Sequence, residues 1–444
     1  MKSAIHSTRI ISEGTLKNAT IIITDGIITE ILDGLVQLPA MPFVEAGDNV
    51  VMAGVIDPHV HINEPGRTEW EGFDTATRAA IAGGVTSLVE MPLNASPVTV
   101  TAAAFDEKIQ AAHNKLHTNC GFWGGLIPGN VKDIEPMAAK GVLGFKAFLT
   151  HSGIDEFPNV TEADLHKAMP IIARLGLPLL VHCELTTPHD KETMANKRSY
   201  HDYLISRPRS WEDEAIAMMI RLCEQYMCRT HIVHLSSSGS VEQIKNAKQK
   251  GLPITVETAQ HYLYFAAENI KDGQTAFKCA PPIREQENNE LLWDALKSGV
   301  IDFAATDHSP ATPALKELQT GDFSKAWGGI ASIQFALPAL WTAAKKRNAG
   351  ITDMAMWLCE KPARLMGNEN NKGKIARGYT ADLVVWNPEQ SFTVTESIIQ
   401  HRHKITPYLN EQLYGTVAQT WLQGVKVFDN GTFTRLNQGK IILK

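Results

Sequence analysis

Val55-Ile-Asp-Pro-His-Val-His-Ile-Asn-Glu-Pro-Gly-Arg67 opens as an apolar strand and sets histidines at 59 and 61. Side chains on a strand alternate with period 2, so His59 and His61 point to the same side. Two neutral imidazoles side by side suit a divalent metal, which nitrogen ligands hold at about 2.0–2.1 Å. A lone His-x-His is equally compatible with two hydrogen-bonded structural histidines. The rest of the chain weighs between the two.

Working outward, apolar runs recur with helical stretches between them. They are Val55–Val60, Thr86–Pro92, Gly121–Leu126, Gly144–Leu149, Leu177–Cys183, Thr230–Leu235, Ile254–Glu257 and Ile301–Thr306. Continuously apolar runs of this length suit strands buried on both faces. Between them, Asp74–Ala82, Trp211–Gln225 and Val241–Gln249 carry an amphipathic helical pattern. Eight alternating units predict an α/β fold, a (β/α)8 TIM-like barrel whose chemistry sits at the C-terminal ends of the strands. A doubly wound open sheet is the alternative, but no Gly-x-Gly-x-x-Gly follows the first strand.

The flanks read differently. Ala19–Thr24 and Ile27–Ile31 are rich in β-branched residues, and Asp25-Gly26 between them is a type I′ turn signal. Ala381–Trp386 and Thr416–Val427 look like strands, with a turn at Asp429-Asn430-Gly431. Neither end can bury a strong core alone, so they are expected to pair. The expected domains are a small β-sandwich-like one from residues 1–53 plus 371–444, and the barrel over 54–370.

Composition narrows the class. Hydrophobic content of 44% and charged content of 20% describe an ordinary globular protein. A net charge of −6 argues against nucleic acid or an anionic membrane surface as partner. Six cysteines scattered through apolar runs, with no Cys-x-x-Cys, read as reduced thiols. No long apolar stretch suggests a signal peptide or a membrane span, so a cytoplasmic protein is expected.

The strand ends supply more ligand types. His182 ends Leu179-Leu-Val-His182, His234 ends Ile232-Val-His234, and Asp307 ends Phe303-Ala-Ala-Thr-Asp307. Each alone has a bland reading: a structural histidine, or a helix-capping turn at Asp307-His-Ser-Pro310. Lys146, inside Gly144-Phe-Lys-Ala-Phe-Leu149, is the odd member. A lysine in so apolar a run must lose its charge or find partners. It is either paired with a carboxylate, or a neutral amine that takes up carbon dioxide as a carbamate able to bridge two cations. Six such residues on five strand ends are hard to explain by packing.

These motifs resemble the cyclic amidohydrolases of the amidohydrolase superfamily over nearly the whole chain. The pieces that carry the resemblance are Asp57–Arg67, Glu90-Met-Pro-Leu-Asn94, Gly144-Phe-Lys146, Val181-His-Cys-Glu184, His234-Leu-Ser-Ser237, Cys279-Ala-Pro-Pro-Ile-Arg284, Asp307-His-Ser-Pro310, Lys325-Ala-Trp-Gly-Gly-Ile330 and Arg402-His-Lys404. The resemblance implies a binuclear centre, usually of zinc. His59, His61 and Asp307 would hold the more buried metal, His182 and His234 the other, and carbamylated Lys146 would bridge them. Asp307 would also be the catalytic proton carrier. One departure stands at Glu257-Thr-Ala-Gln-His261, where the family usually carries Cys-Pro before the histidine.

The implied reaction is hydrolysis of a small cyclic amide or ureide. Dihydroorotases typically carry His-x-His-x-Arg, the arginine meeting the substrate carboxylate, whereas this chain has Asn63 there. A carboxylate would be desolvated without an equivalent partner. An amide suits a ring with only N–H and C=O groups. That favours (S)-allantoin, opened to allantoate in purine breakdown, over dihydroorotate or a broader hydantoin or dihydropyrimidine range. Asn63, on a loop expected to face solvent, Asn94 and Ser309 are the expected substrate contacts. The family also contains non-catalytic scaffolds, but these lose ligands and this chain keeps all six. A homotetramer or homodimer is the expected assembly.

Overall fold

The computed structural model describes residues 2–39, 41–186 and 194–444. Its centre is a closed barrel of parallel strands. In order they are Val55–Val60, Val85–Glu90, Asn119–Phe122 continued by Gly124–Gly125, Phe145–Phe148, Leu179–His182, Thr230–Ile232, Ile254–Ala259 and Phe303–Ala305. Each pairs with the next in parallel. The third strand breaks at Trp123, so its first half pairs with strand two and its second with strand four. A bridge between Val60 and His308 closes strand eight onto strand one. Nearly every strand residue is buried, which is why the sequence shows continuous apolar runs instead of alternation.

Helices follow the strands around the outside. Phe73–Ala82, Arg209–Tyr226 and Val241–Gln249 occupy the stretches with helical patterning. The helix Glu162–Arg174 shows how the sequence sets one. Thr161 accepts from the Asp164 backbone N–H while the Asp164 carboxylate accepts from that of Thr161, a capping box. Leu165, Ala168, Met169 and Ile172 then form one buried stripe at helical spacing. Each large member adds about 1.5–3 kcal/mol by leaving water, and an aspartate at Ile172 would break that face.

The two ends of the chain share one continuous nine-stranded sheet. Its seam is Val50–Ala53, parallel to Lys2–Ser12 on one side and antiparallel to Leu383–Thr393 on the other. Asp25 and Gly26 both adopt positive φ, making the hairpin turn the dipeptide signals. The run Thr416–Val427 is not one strand. It divides into Gln412–Leu422 and Val425–Asp429, because Gln423 and Gly424 both take positive φ and turn the chain back. Val50–Ala53 leads into barrel strand one through Gly54, where a Cβ would lie 2.1 Å from Thr86. Among the described residues, no helix is long and apolar enough to cross a membrane.

Candidate metal centre

The C-terminal ends of the strands converge as the sequence spacing suggests. His59 Nε2 lies 3.2 Å and His61 Nε2 3.6 Å from Asp307 Oδ1. His182 Nδ1 and His234 Nε2 are 2.9 Å apart, and the His59 and His234 rings are centred 5.3 Å apart. Donor atoms of His59, His234 and Asp307 all fall within 4.8 Å of one another, close enough to hold a metal ion. The backbone is held in unusual conformations here: His234, Asp307, Asn63 and Asn94 all have positive φ. Such conformations persist only where the surroundings over-determine them, and they cluster at functional sites.

Three of the four imidazoles have one nitrogen engaged behind them. Glu257 accepts from His59 Nδ1 and contacts His231 Nε2 at 3.2 Å. Glu184 Oε2 lies 2.7 Å from His182 Nε2 and is itself paired with Arg207. The Asn94 amide lies 3.4 Å from His61 Nδ1, and a half-turn of that amide lets Oδ1 accept Nδ1–H. The nitrogens left facing inward are Nε2 of His59, His61 and His234 and Nδ1 of His182, with no hydrogen-bond partner for His234 Nδ1. A carboxylate behind a histidine fixes its tautomer and raises its basicity as a ligand.

The protonation states suit a cation. Burial holds the His61 imidazole down at about 4 and lowers those of His182 and His234 as well, so these rings are neutral at pH 7. Burial alone would raise the Asp307 carboxyl, but His59, His61 and His234 outweigh it and hold it far below the carboxylate range. Burial lowers Lys146 to about 7, against the pull of Glu257 and Asp307. Its Nζ is fully buried without a hydrogen-bond partner and sits 4.9 Å over the Phe148 ring, which stacks on His182. Lysine–carboxylate hydrogen bonding, one of the two readings of Lys146, is therefore not what the structure shows.

The inward donors border a cavity of roughly 340 Å³ whose wall includes Asn94, Ser309, Phe148, Tyr203, Arg207, Lys278 and Trp327. Asn63 departs from expectation. It is fully buried, off the cavity wall, with Nδ2 donating to the Pro310 carbonyl at 3.2 Å. The positive φ at 63 turns the side chain into the neighbouring loop and away from solvent. Arg67 ties this loop down, donating to Glu156 at 2.8 Å. Glu257, Glu184 and Arg207 are among the residues the sequence reading gave no role. Glu184 had a signal, an acid two positions beyond His182 on the same face. Arg207 had none, since it comes from a loop.

Residues 50–427 match the Amidohydrolase family. The chain belongs to that family. This amidohydrolase is 45% identical over 433 residues to the allantoinase of Streptomyces avermitilis, covering 97% of this chain and 96% of that one. It is 41% identical over 443 residues to the allantoinase of Saccharomyces cerevisiae, covering 96% and 95%. Among solved structures, the L-hydantoinase (dihydropyrimidinase) of Arthrobacter aurescens superposes with a TM-score of 0.94 at 28% identity, over the full length of both chains.

Proposed function

We propose that this amidohydrolase opens the ring of (S)-allantoin to give allantoate. The observation that carries the reading is the convergence of four histidines, Asp307 and Lys146 at the mouth of the barrel, in a chain with allantoinase relatives along almost its whole length. His59, His61 and Asp307 would hold one divalent ion, most simply zinc, and His182 and His234 a second. Lys146 would stand between them as its carbamate, since an amine lowered to about 7 and without a hydrogen-bond partner has the neutral fraction that carbon dioxide requires. Bound ions of this kind lower the pKa of water towards about 7 and polarise a carbonyl.

The chain's own residues do the rest. Asp307 Oδ1 faces both His59 and His61, which leaves Oδ2 to take the proton of the attacking water. It then returns that proton to the ring nitrogen as the C–N bond breaks. Asn94 and Ser309 offer polar contacts to the ring from the cavity wall. Asn63, buried behind that wall, acts on the ring only through the loop it braces. On this reading, residues 54–370 form the domain that carries the chemistry, while 1–53 with 371–444 brace it. Assembly as a homotetramer or homodimer belongs to the same reading, and light scattering measures it.

A hydantoin without the ureido substituent is the second reading, favoured by the close superposition on an L-hydantoinase. Purified, metal-loaded enzyme is offered allantoin, unsubstituted hydantoin and dihydroorotate in turn. Allantoin is expected to give the highest kcat/KM. Turnover of dihydroorotate or hydantoin with none of allantoin sinks the assignment.

A further inference from the structure

Lys316 lies behind the cavity wall, 3% exposed, on the segment that follows strand eight. Its Nζ donates to the carbonyls of Lys278 at 3.2 Å, Trp327 at 3.0 Å and Gly329 at 2.8 Å. Three acceptors match the three N–H bonds of an ammonium. No carboxylate among the described residues pairs with it; burial lowers its pKa to about 7, and only its protonated form can donate to all three carbonyls. A buried cation held only by carbonyls is costly unless the groups it gathers must stay together.

Those groups form one side of the cavity. Lys278 and the run Ser324 to Gly328, which includes Trp327, line it directly. Lys278 Nζ donates to the Ala326 carbonyl at 2.6 Å, and the Gly329 N–H donates to the Lys278 carbonyl at 2.9 Å. Gly329 also presses on Ser309, where a Cβ would lie 2.3 Å from the Ser309 carbonyl oxygen. The loop after strand seven and the loop after strand eight are therefore stitched to each other, and Lys316 fastens the seam from outside the cavity.

We propose that Lys316 is a positioning residue that sets the wall formed by Lys278 and residues 324–328 at the spacing the substrate ring requires. The proposal rests on the reading that this cavity takes the ring. Trp327 and Lys278 meet the ligand, and Lys316 acts through them. Removing its donors leaves the Trp327 and Gly329 carbonyls without this partner, while the Lys278 carbonyl keeps the Gly329 N–H, so the wall loosens while the metal ligands at the strand ends keep their places.

The test uses full-length, metal-loaded enzyme with Lys316→Met, which keeps the stem, and Lys316→Arg, which keeps charged donors. KM and kcat for allantoin, metal content and amide hydrogen exchange over 324–330 are measured together. In Lys316→Met, KM should rise about tenfold or more with kcat within about threefold, because uniform binding is lost and chemistry is not. Metal content should match the unmodified enzyme, and exchange over 324–330 should be faster while barrel strands stay protected. Lys316→Arg should recover most of the KM shift. Unchanged KM with unchanged exchange overturns the proposal, as does a fall in kcat with metal loss. If Lys316→Met does not fold, Lys316→Gln, which retains two donors, is read by the same criteria. If the unmodified enzyme does not hydrolyse allantoin, the allantoin assignment fails, and the exchange measurement still decides the role of Lys316.

Discussion

Glu257→Gln isolates what a buried charge contributes to the centre. Glu257 accepts from His59 Nδ1, contacts His231 Nε2 at 3.2 Å and lies 3.4 Å from the His234 backbone nitrogen. Burial would raise its carboxyl, but His59 and His231 outweigh it and hold it at about 2, so it is a full anion at neutral pH. The glutamine has nearly the same shape. Its carbonyl can accept His59 Nδ1–H, and its amide can donate to His231 Nε2, because His231 Nδ1 already faces the Thr255 hydroxyl at 2.8 Å. No buried group is orphaned, and only the charge is lost.

A hydrogen bond to a charged group contributes about 1.5–3 kcal/mol, and a neutral one about 0.5–1.5 kcal/mol. The difference, roughly 1–1.5 kcal/mol, is about tenfold in metal affinity, the lower edge of the 10–100-fold range for a carboxylate behind a ligand histidine. Glu257→Ala, which also leaves Nδ1–H without an acceptor, should approach a hundredfold. Competition with a chromogenic chelator measures both, and circular dichroism checks the fold. If Glu257→Gln releases metal at the same chelator concentration as the unmodified enzyme, the carboxylate charge does not tune His59 and the reasoning fails.

The remaining predictions concern stability. Lys108 and Glu90 form a buried pair at 2.7 Å, so Lys108→Met should cost about 3–5 kcal/mol in urea unfolding by stranding the acid, with most recovered in Glu90→Leu/Lys108→Met; a cost under about 1 kcal/mol in the single variant would refute the pairing argument. Asn63 has φ of 67°, so Asn63→Gly should melt above Asn63→Ala by the equivalent of about 1 kcal/mol, and the reverse order would show the left-handed backbone is not what the position demands. His401 is buried with both ring nitrogens unpartnered, and burial holds it at about 3, below its ordinary 6.5. The folded value is the depressed one, so this stability is present above 6.5 and is lost as pH falls towards 3. Between pH 6.5 and 5 the unmodified enzyme should lose about 2 kcal/mol more than His401→Phe, and parallel urea midpoints would count against it.

How much could be read from the chain follows from what each residue needs. The candidate ligands were legible because a histidine or aspartate closing an apolar run is expensive to keep there without a task. The barrel was legible because strands buried on both faces leave no alternation to misread. Glu257 was not, because its partner His59 is 198 residues away and only closure of the barrel brings them together. Asn63 was expected to face solvent because the His-x-His-x-Asn spacing carries no record of burial; in the fold its backbone takes a positive φ and its amide donates to the Pro310 carbonyl. The Thr416–Val427 run failed the same way, since Gln423-Gly424 turns without the Asn-Gly or Asp-Gly pattern that marked the other hairpins.

The charge arrangement shows what a cation at the mouth of the barrel would relieve. Several other buried carboxylates have a cationic partner: Glu90 has Lys108, Glu184 has Arg207, Asp382 has Lys372 and Glu212 lies 3.8 Å from Arg284. Asp307 and Glu257 instead face imidazoles and an amine that burial strips towards neutrality. Two buried anions without a lysine or arginine partner are unstable company in a medium of low dielectric. Protonating the imidazoles would relieve the strain, and it is their positive charge that holds both carboxyls below the ordinary carboxylate range. Positive charge supplied from outside the chain would do the same near neutral pH, where burial leaves the converging nitrogens neutral. The same imbalance predicts that the metal-free protein is less stable than the loaded one and that the difference shrinks as acid neutralises the pair, which melting curves with and without chelator would test.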